Sequence, residues 1–182
     1  MACFEMLRHL ENAISRAVSL RLTGHYKRAD WWNAPGLALT SITSGMIREA
    51  EARVERKRLP LSAINIQREL TLGFWVSIIG RGLDYETKLW RPMKPAFPGY
   101  RGKRQPLWTQ LNFLRLLRND VAHHDRIGER HLEADRASIL RALGFISAEA
   151  EVWVAGVETM GALLRSRPEP CPGVDGSTRG GN

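Results

Sequence analysis

Apolar residues return every three or four positions through most of this chain, and that period suits helices far better than strands. Phe4, Leu7, Leu10, Ile14 and Val18 begin the series, with charges between them, and predict a first helix over residues 2–22. A period near 3.6 sets one stripe of each helix inward and leaves the rest to solvent. The same reading predicts helices over Leu37–Lys57, 59–82, 83–90, Leu107–Arg126, Leu132–Leu143 and Ala148–Arg165. The second half of 59–82 is almost wholly apolar, which marks a buried helix, although "FWVSII" alone would also suit a strand. The alternating Glu and Arg near the end of Leu37–Lys57 read as a solvated face with i,i+4 pairs.

Between these elements the punctuation is clear. "HYKRADWWNAPG", 25–36, is a loop by its Asn, Pro and Gly, expected to pin its two Trp against the bundle. "RPMKPAFPGYRGKRQP", 91–106, holds four prolines and five basic residues and also reads as a loop. Residues 167–182 have the Pro, Gly and Ser content of a disordered tail. No internal repeat is visible. The expectation is an all-α helical bundle over residues 1–166 with a disordered C-terminal tail.

A length of 182 residues suits one domain, and 43% hydrophobic residues with six Trp suffice for a sizeable core. The net charge of +8 favours polyanionic partners such as RNA, DNA or an anionic membrane surface. Cys3 and Cys171 lie near opposite ends and neither belongs to a CxxC pair. That argues against a disulfide framework or a cysteine zinc site, and fits a reducing cytosol. "MACFEMLRHLENAISRAV" carries Glu, Arg and His inside its apolar pattern, so it lacks the continuous apolar centre of a signal peptide. No uncharged apolar run approaches the roughly 18 residues of a membrane span. A cytoplasmic protein with no membrane partner is expected.

The chemistry concentrates in "LLRNDVAHHD", 116–125. At about 100° per residue, Leu111, Phe113, Leu114, Leu116, Leu117 and Val121 fill one wide arc of the Leu107–Arg126 helix. Opposite them run Asn112, Arg115, Asn119, His123 and Arg126, with Trp108 at the N-terminal end. His124 falls inside the apolar arc and His123 outside it, so His124 is the better core histidine and His123 the better reactive one. Arg118 sits beside the apolar arc, where a guanidinium needs an anionic partner. That partner is either an acid of the fold, such as Asp125, or a phosphate.

Three readings compete for the motif. A solvated helix face is the simplest. Metal ligation is weak, because adjacent histidines diverge by about 100° on a helix whereas His-x3-His shares a face. A phosphate site uses the residues best: Arg118 holds two phosphate oxygens, Asn119 orients a hydroxyl, and His123 moves protons near neutral pH. Such a set would cleave RNA without metal by attack of the 2′-hydroxyl, Arg118 stabilising the charge gathered on the non-bridging oxygens. Arg118 and His123 diverge by roughly 140° on an ideal helix. Either a distorted helix end or two copies of the helix meeting across a two-fold axis would bring them together.

"RNDVAHHD" resembles the Arg-x4-6-His signature of HEPN domains, in the "RNxxAHHE" form of Abi-like (abortive infection) proteins. "LTLGFWVSII", "YETKLW" and "AFPG" are similar to upstream segments of that family, in the same order. "LRHLENAISRAV" resembles its first helix and "LGFISAEAEVW" the segment after its motif, so the likeness covers about residues 5–168. It implies a helical HEPN bundle, usually a homodimer whose paired motifs make one composite site. It also implies a metal-independent endoribonuclease of phage-defence or toxin–antitoxin systems, without a cofactor. Carried over by position, Arg118, Asn119 and His123 are the catalytic residues and His124 matches the family's second histidine; Arg115 of the polar stripe is, with His124, a supporting candidate. Asp120 stands where the family often has a basic residue, and Asp125 where Glu is usual. An added carboxylate there would weaken phosphate attraction and raise the histidine pKa.

The expected partners are RNA, a second copy of the chain and an antitoxin, protein or RNA. Lys94, Arg101, Lys103 and Arg104 of the 91–106 loop would guide the RNA backbone, against the plainer reading of solvated charge. The alternatives are a non-catalytic RNA- or nucleotide-binding partner protein and a purely structural helical adaptor.

Overall fold

The computed structural model describes residues 2–123 and 131–166, with His123 placed by its backbone. All regular structure among the described residues is helical, and "FWVSII" is helix rather than strand. α1 (Ala2–Tyr26) runs through the centre and touches most other elements. Met6, Leu7, Leu10, Ile14, Val18 and Leu22 are fully buried along it, the inward stripe that the spacing predicts. Phe4, counted with them from sequence, instead lies at the edge, 38% exposed. The helix continues to Tyr26, four residues past the expected end, and the Tyr26 hydroxyl donates to the Lys88 carbonyl at 2.7 Å. Trp31 and Trp32 then turn through one 3₁₀ turn (Trp31–Asn33) and are buried as expected.

α2 (Ser41–Arg56) begins where the Thr40 hydroxyl accepts the Thr43 N–H at 3.2 Å, later than the Leu37 expected. The segment 59–82 is two helices and not one: α3 (Ala63–Glu69), capped by Ser62, and α4 (Leu72–Ile79). Leu70 between them is extended, and the break lets Leu70 and Leu72 both reach the core. Glu69 fastens the end of α3 to α2, accepting from Lys57 at 2.5 Å while Arg53 donates to its carbonyl at 2.9 Å. α4 is apolar on nearly every side, as befits a helix surrounded by protein.

Residues 86–96, partly assigned to a loop from their prolines, are helical. A π-helical turn (Glu86–Trp90) leads into α5 (Arg91–Met93) and a 3₁₀ turn (Lys94–Ala96). Prolines at the first positions of such turns cost no hydrogen bond, which is why their number misled. α6 (Arg104–His123) starts three residues before Leu107 for the same reason, with Pro106 in its first turn. α7 (Leu132–Ile146) runs three residues beyond the expected Leu143.

Ala148–Arg165 divides into α8 (Ala148–Val157), capped by Ser147, and α9 (Met160–Arg165). At the break Glu158 takes Arg136 of α7 at 2.7 Å and the Gly161 N–H at 2.9 Å. α1, α6 and α7 pack pairwise as the heart of the bundle. α4 wedges against α1 and α6, α2 covers α4 with α3 at its side, and α8 and α9 lie on α7. The expected tail, residues 167–182, lies outside the described residues.

Candidate functional site

α6 carries the motif, and its packing narrows the apolar arc. Leu107, Leu111, Leu114, Leu117 and Val121 are buried at spacings of four, three, three and four. Phe113 and Leu116, counted in that arc from sequence, are 44% and 47% exposed. Leu116 shares a face with His123, two turns away, and not with the core. Leu117 and Val121 belong to the core rather than to a free surface.

With the arc corrected, Arg118 projects between Leu111 and Leu114, inside the buried face and not beside it. Its side chain is 31% exposed. Glu11 of α1 answers it, Oε2 lying 4.0 Å from Nε, and the guanidinium also sits over the Phe4 ring, 5.8 Å from its centroid. A 4.0 Å approach is Coulombic and too long for a hydrogen bond. Burial pushes the Glu11 carboxyl above its ordinary 4.5, while attraction by Arg118 and by the Leu72 backbone opposes that rise. Asp125, the acid considered from sequence, lies outside the described residues, as do His124 and Arg126.

The polar stripe is present and half-buried: Trp108, Asn112, Arg115 and Asn119 follow one side of α6. Arg115 Nε donates to Asn112 Oδ1 at 2.9 Å, which fixes both side chains. α6 stays α-helical through His123, five positions after Arg118. The two residues therefore diverge by roughly 140° over about 7.5 Å of helix axis. Up to that residue the helix is not distorted in a way that would bring them together within one chain.

Lys94, Arg101, Lys103 and Arg104 do come together, lining one open cavity of about 600 Å³ with Glu86 and Trp90. Arg104 Nε lies 3.3 Å from Glu86. The loop is held against the end of α7: the Gly99 N–H donates to the Phe145 carbonyl at 3.0 Å, and the Tyr100 and Phe145 rings meet at 4.9 Å. A Cβ at Gly99 would collide with the Gly144 carbonyl, so only glycine permits this approach. The Tyr100 hydroxyl donates to the Lys103 carbonyl at 2.9 Å, which shapes the cationic turn. This cavity does not adjoin the motif. Arg104 begins α6 and Arg118 is fourteen positions on, so about 21 Å of helix separates them.

Glu11 escaped the sequence reading, although an acid directly after the buried Leu10 was a signal. It borders a polar cleft of about 430 Å³ between α1 and α3, with Asn12, Ser15, Arg16, Gln67 and Arg68. Among the described residues no three His, Cys, Asp or Glu gather as a metal-ligating group. No helix of the described residues is long and apolar enough to cross a membrane. No family model matches the chain, and no curated protein or solved structure matches it.

Proposed function

We propose that this chain is a metal-independent endoribonuclease of the HEPN type, resembling Abi-like proteins, that acts in the cytoplasm within a phage-defence or toxin–antitoxin system. Arg118 clamps the scissile phosphate, Asn119 orients the attacking 2′-hydroxyl, and His123 takes the proton of that hydroxyl as its oxygen attacks phosphorus. The bond to the 5′-oxygen breaks, and that oxygen leaves as a hydroxyl after receiving the proton from His123. The other product keeps a 2′,3′-cyclic phosphate. Two copies of α6 form the site together, Arg118 of one chain serving the His123 of the other.

The observation that carries this reading is Arg118 itself. A guanidinium at a leucine's place on the inward face of α6, met among the described residues by the Phe4 ring and by Glu11 at 4.0 Å, suits an incoming phosphate better than it suits packing. The regular helix between Arg118 and His123 favours the two-chain arrangement. The test is RNA cleavage by the purified protein in EDTA: the wild type should cut and His123→Ala should not. A second reading, a non-catalytic RNA- or nucleotide-binding partner protein, is favoured by one fact, that Glu11 already supplies Arg118 with a carboxylate. Binding without cleavage would select it.

A further inference from the structure

The cationic cavity and the motif occupy opposite ends of α6, and the face between them is not blank. Gln105 borders the cationic cavity and also a second one of about 500 Å³, lined by Trp108, Arg81 and Ser77 among others. Trp108 is half-buried there, drawn so close to α4 that a Cβ on Gly80 would lie 2.8 Å from its indole Nε1. One turn further on, Arg115 and Asn112 hold each other, and Asn119 follows a turn later. Cations, then an aromatic plane, then fixed polar groups is the sequence of features that single strands use: phosphates on charge, bases on rings.

We propose that single-stranded RNA lies along α6, from the cavity of Lys94, Arg101, Lys103 and Arg104, past Trp108 and Arg115, to Asn119 and the motif. The proposal rests on reading the motif as an RNA-cleaving site and adds how the substrate is held and how long it must be. Among the described residues four cations face one carboxylate, Glu86, in the first cavity, so the charge there matches a polyanion. The roughly 21 Å from Arg104 to Arg118, at about 3.4 Å per stacked nucleotide, corresponds to roughly six nucleotides, and reaching His123 takes about two more. α6 is then a ruler. RNA shorter than that reaches one end only.

The experiment measures fluorescence anisotropy of labelled RNA with full-length His123→Ala protein, so that cleavage does not intervene. An RNA of about ten nucleotides should bind at least tenfold more tightly than one of about four. Arg101→Glu/Lys103→Glu, both exposed, should remove that advantage and lower the salt dependence by about 1.4, the slope of two phosphate contacts on a single strand. Trp108→Ala should weaken the longer RNA about five- to hundredfold, and Trp108→Phe, which keeps a ring, should restore most of it. Unchanged affinity in the charge-reversed protein overturns the proposal. So does equal binding of short and long RNA, or a preference for duplex RNA or an acidic peptide. Cleavage in EDTA by a wild type without the length dependence would sink the track and leave the nuclease standing. Length-dependent binding by a wild type that never cleaves would do the reverse.

Discussion

Glu11 of α1 faces Arg118 of α6 at 4.0 Å, across 107 residues of sequence, and the carboxylate is held partly out of water. Burial raises its pKa, so the folded chain binds that proton more tightly than the unfolded chain. Stability contributed by the protonated form is therefore lost as pH rises from 4.5 through the raised value. Glu11→Gln removes that loss. Its melting temperature should gain on the wild type across this interval, as followed by thermal melts from pH 4 to 7, and a gap that does not change with pH contradicts the account.

Glu158 works in the opposite sense. Burial pushes its carboxyl up, but the hydrogen bond from Arg136 and that from the Gly161 N–H outweigh this and leave it below 4.5. It contributes stability above 4.5 that is lost as pH falls through the lowered value. The carboxylate is only 5% exposed, so Glu158→Gln should cost about 1.5–3 kcal/mol at neutral pH, the worth of charged hydrogen bonds. Urea unfolding at pH 7 and pH 3 checks it: the difference should be larger at the first than at the second.

Much of the fold is legible because burial follows the helical period where a helix has neighbours on one side. Leu107, Leu111, Leu114, Leu117 and Val121 illustrate this. Phe113 and Leu116 fail the same reasoning, since hydrophobicity cannot tell a buried side from a partly exposed one. The breaks at Leu70 and Glu158 are illegible for another reason: neither residue is itself a Pro or Gly, and tertiary contacts sit at each, Arg53 reaching the Glu69 carbonyl beside the first and Arg136 reaching Glu158 at the second. The four cations of the 91–106 segment line one cavity, yet a straight α6 carries them away from the motif. Glu11 has no local signature of its pairing, because the partner lies on a distant helix.

Leu116 and Leu117 are adjacent and should behave oppositely. Leu117 is fully buried, so Leu117→Ala should cost about 2–5 kcal/mol in denaturant unfolding. Leu116, 47% exposed on the His123 side, should tolerate Leu116→Asp in stability. The same change should shift the protein toward monomer in sedimentation and abolish cleavage, if copies of α6 meet there. A dimer that Leu116→Asp leaves intact and active contradicts this placement of the seam.

The two-chain site makes a sharper demand. Arg118→Ala and His123→Ala homodimers should each be inactive. A heterodimer with one change per chain keeps one intact cross-chain pair and should recover part of the activity. Confirmed heterodimers without recovery would contradict pairing across the dimer.

The central claim is settled most directly by the ends of the RNA fragments made by purified wild-type protein in EDTA. The account predicts a 2′,3′-cyclic phosphate on one fragment and a 5′-hydroxyl on the other, with no product from His123→Ala. Fragments bearing 5′-phosphates, cleavage that requires a divalent ion, or full activity in His123→Ala would contradict it.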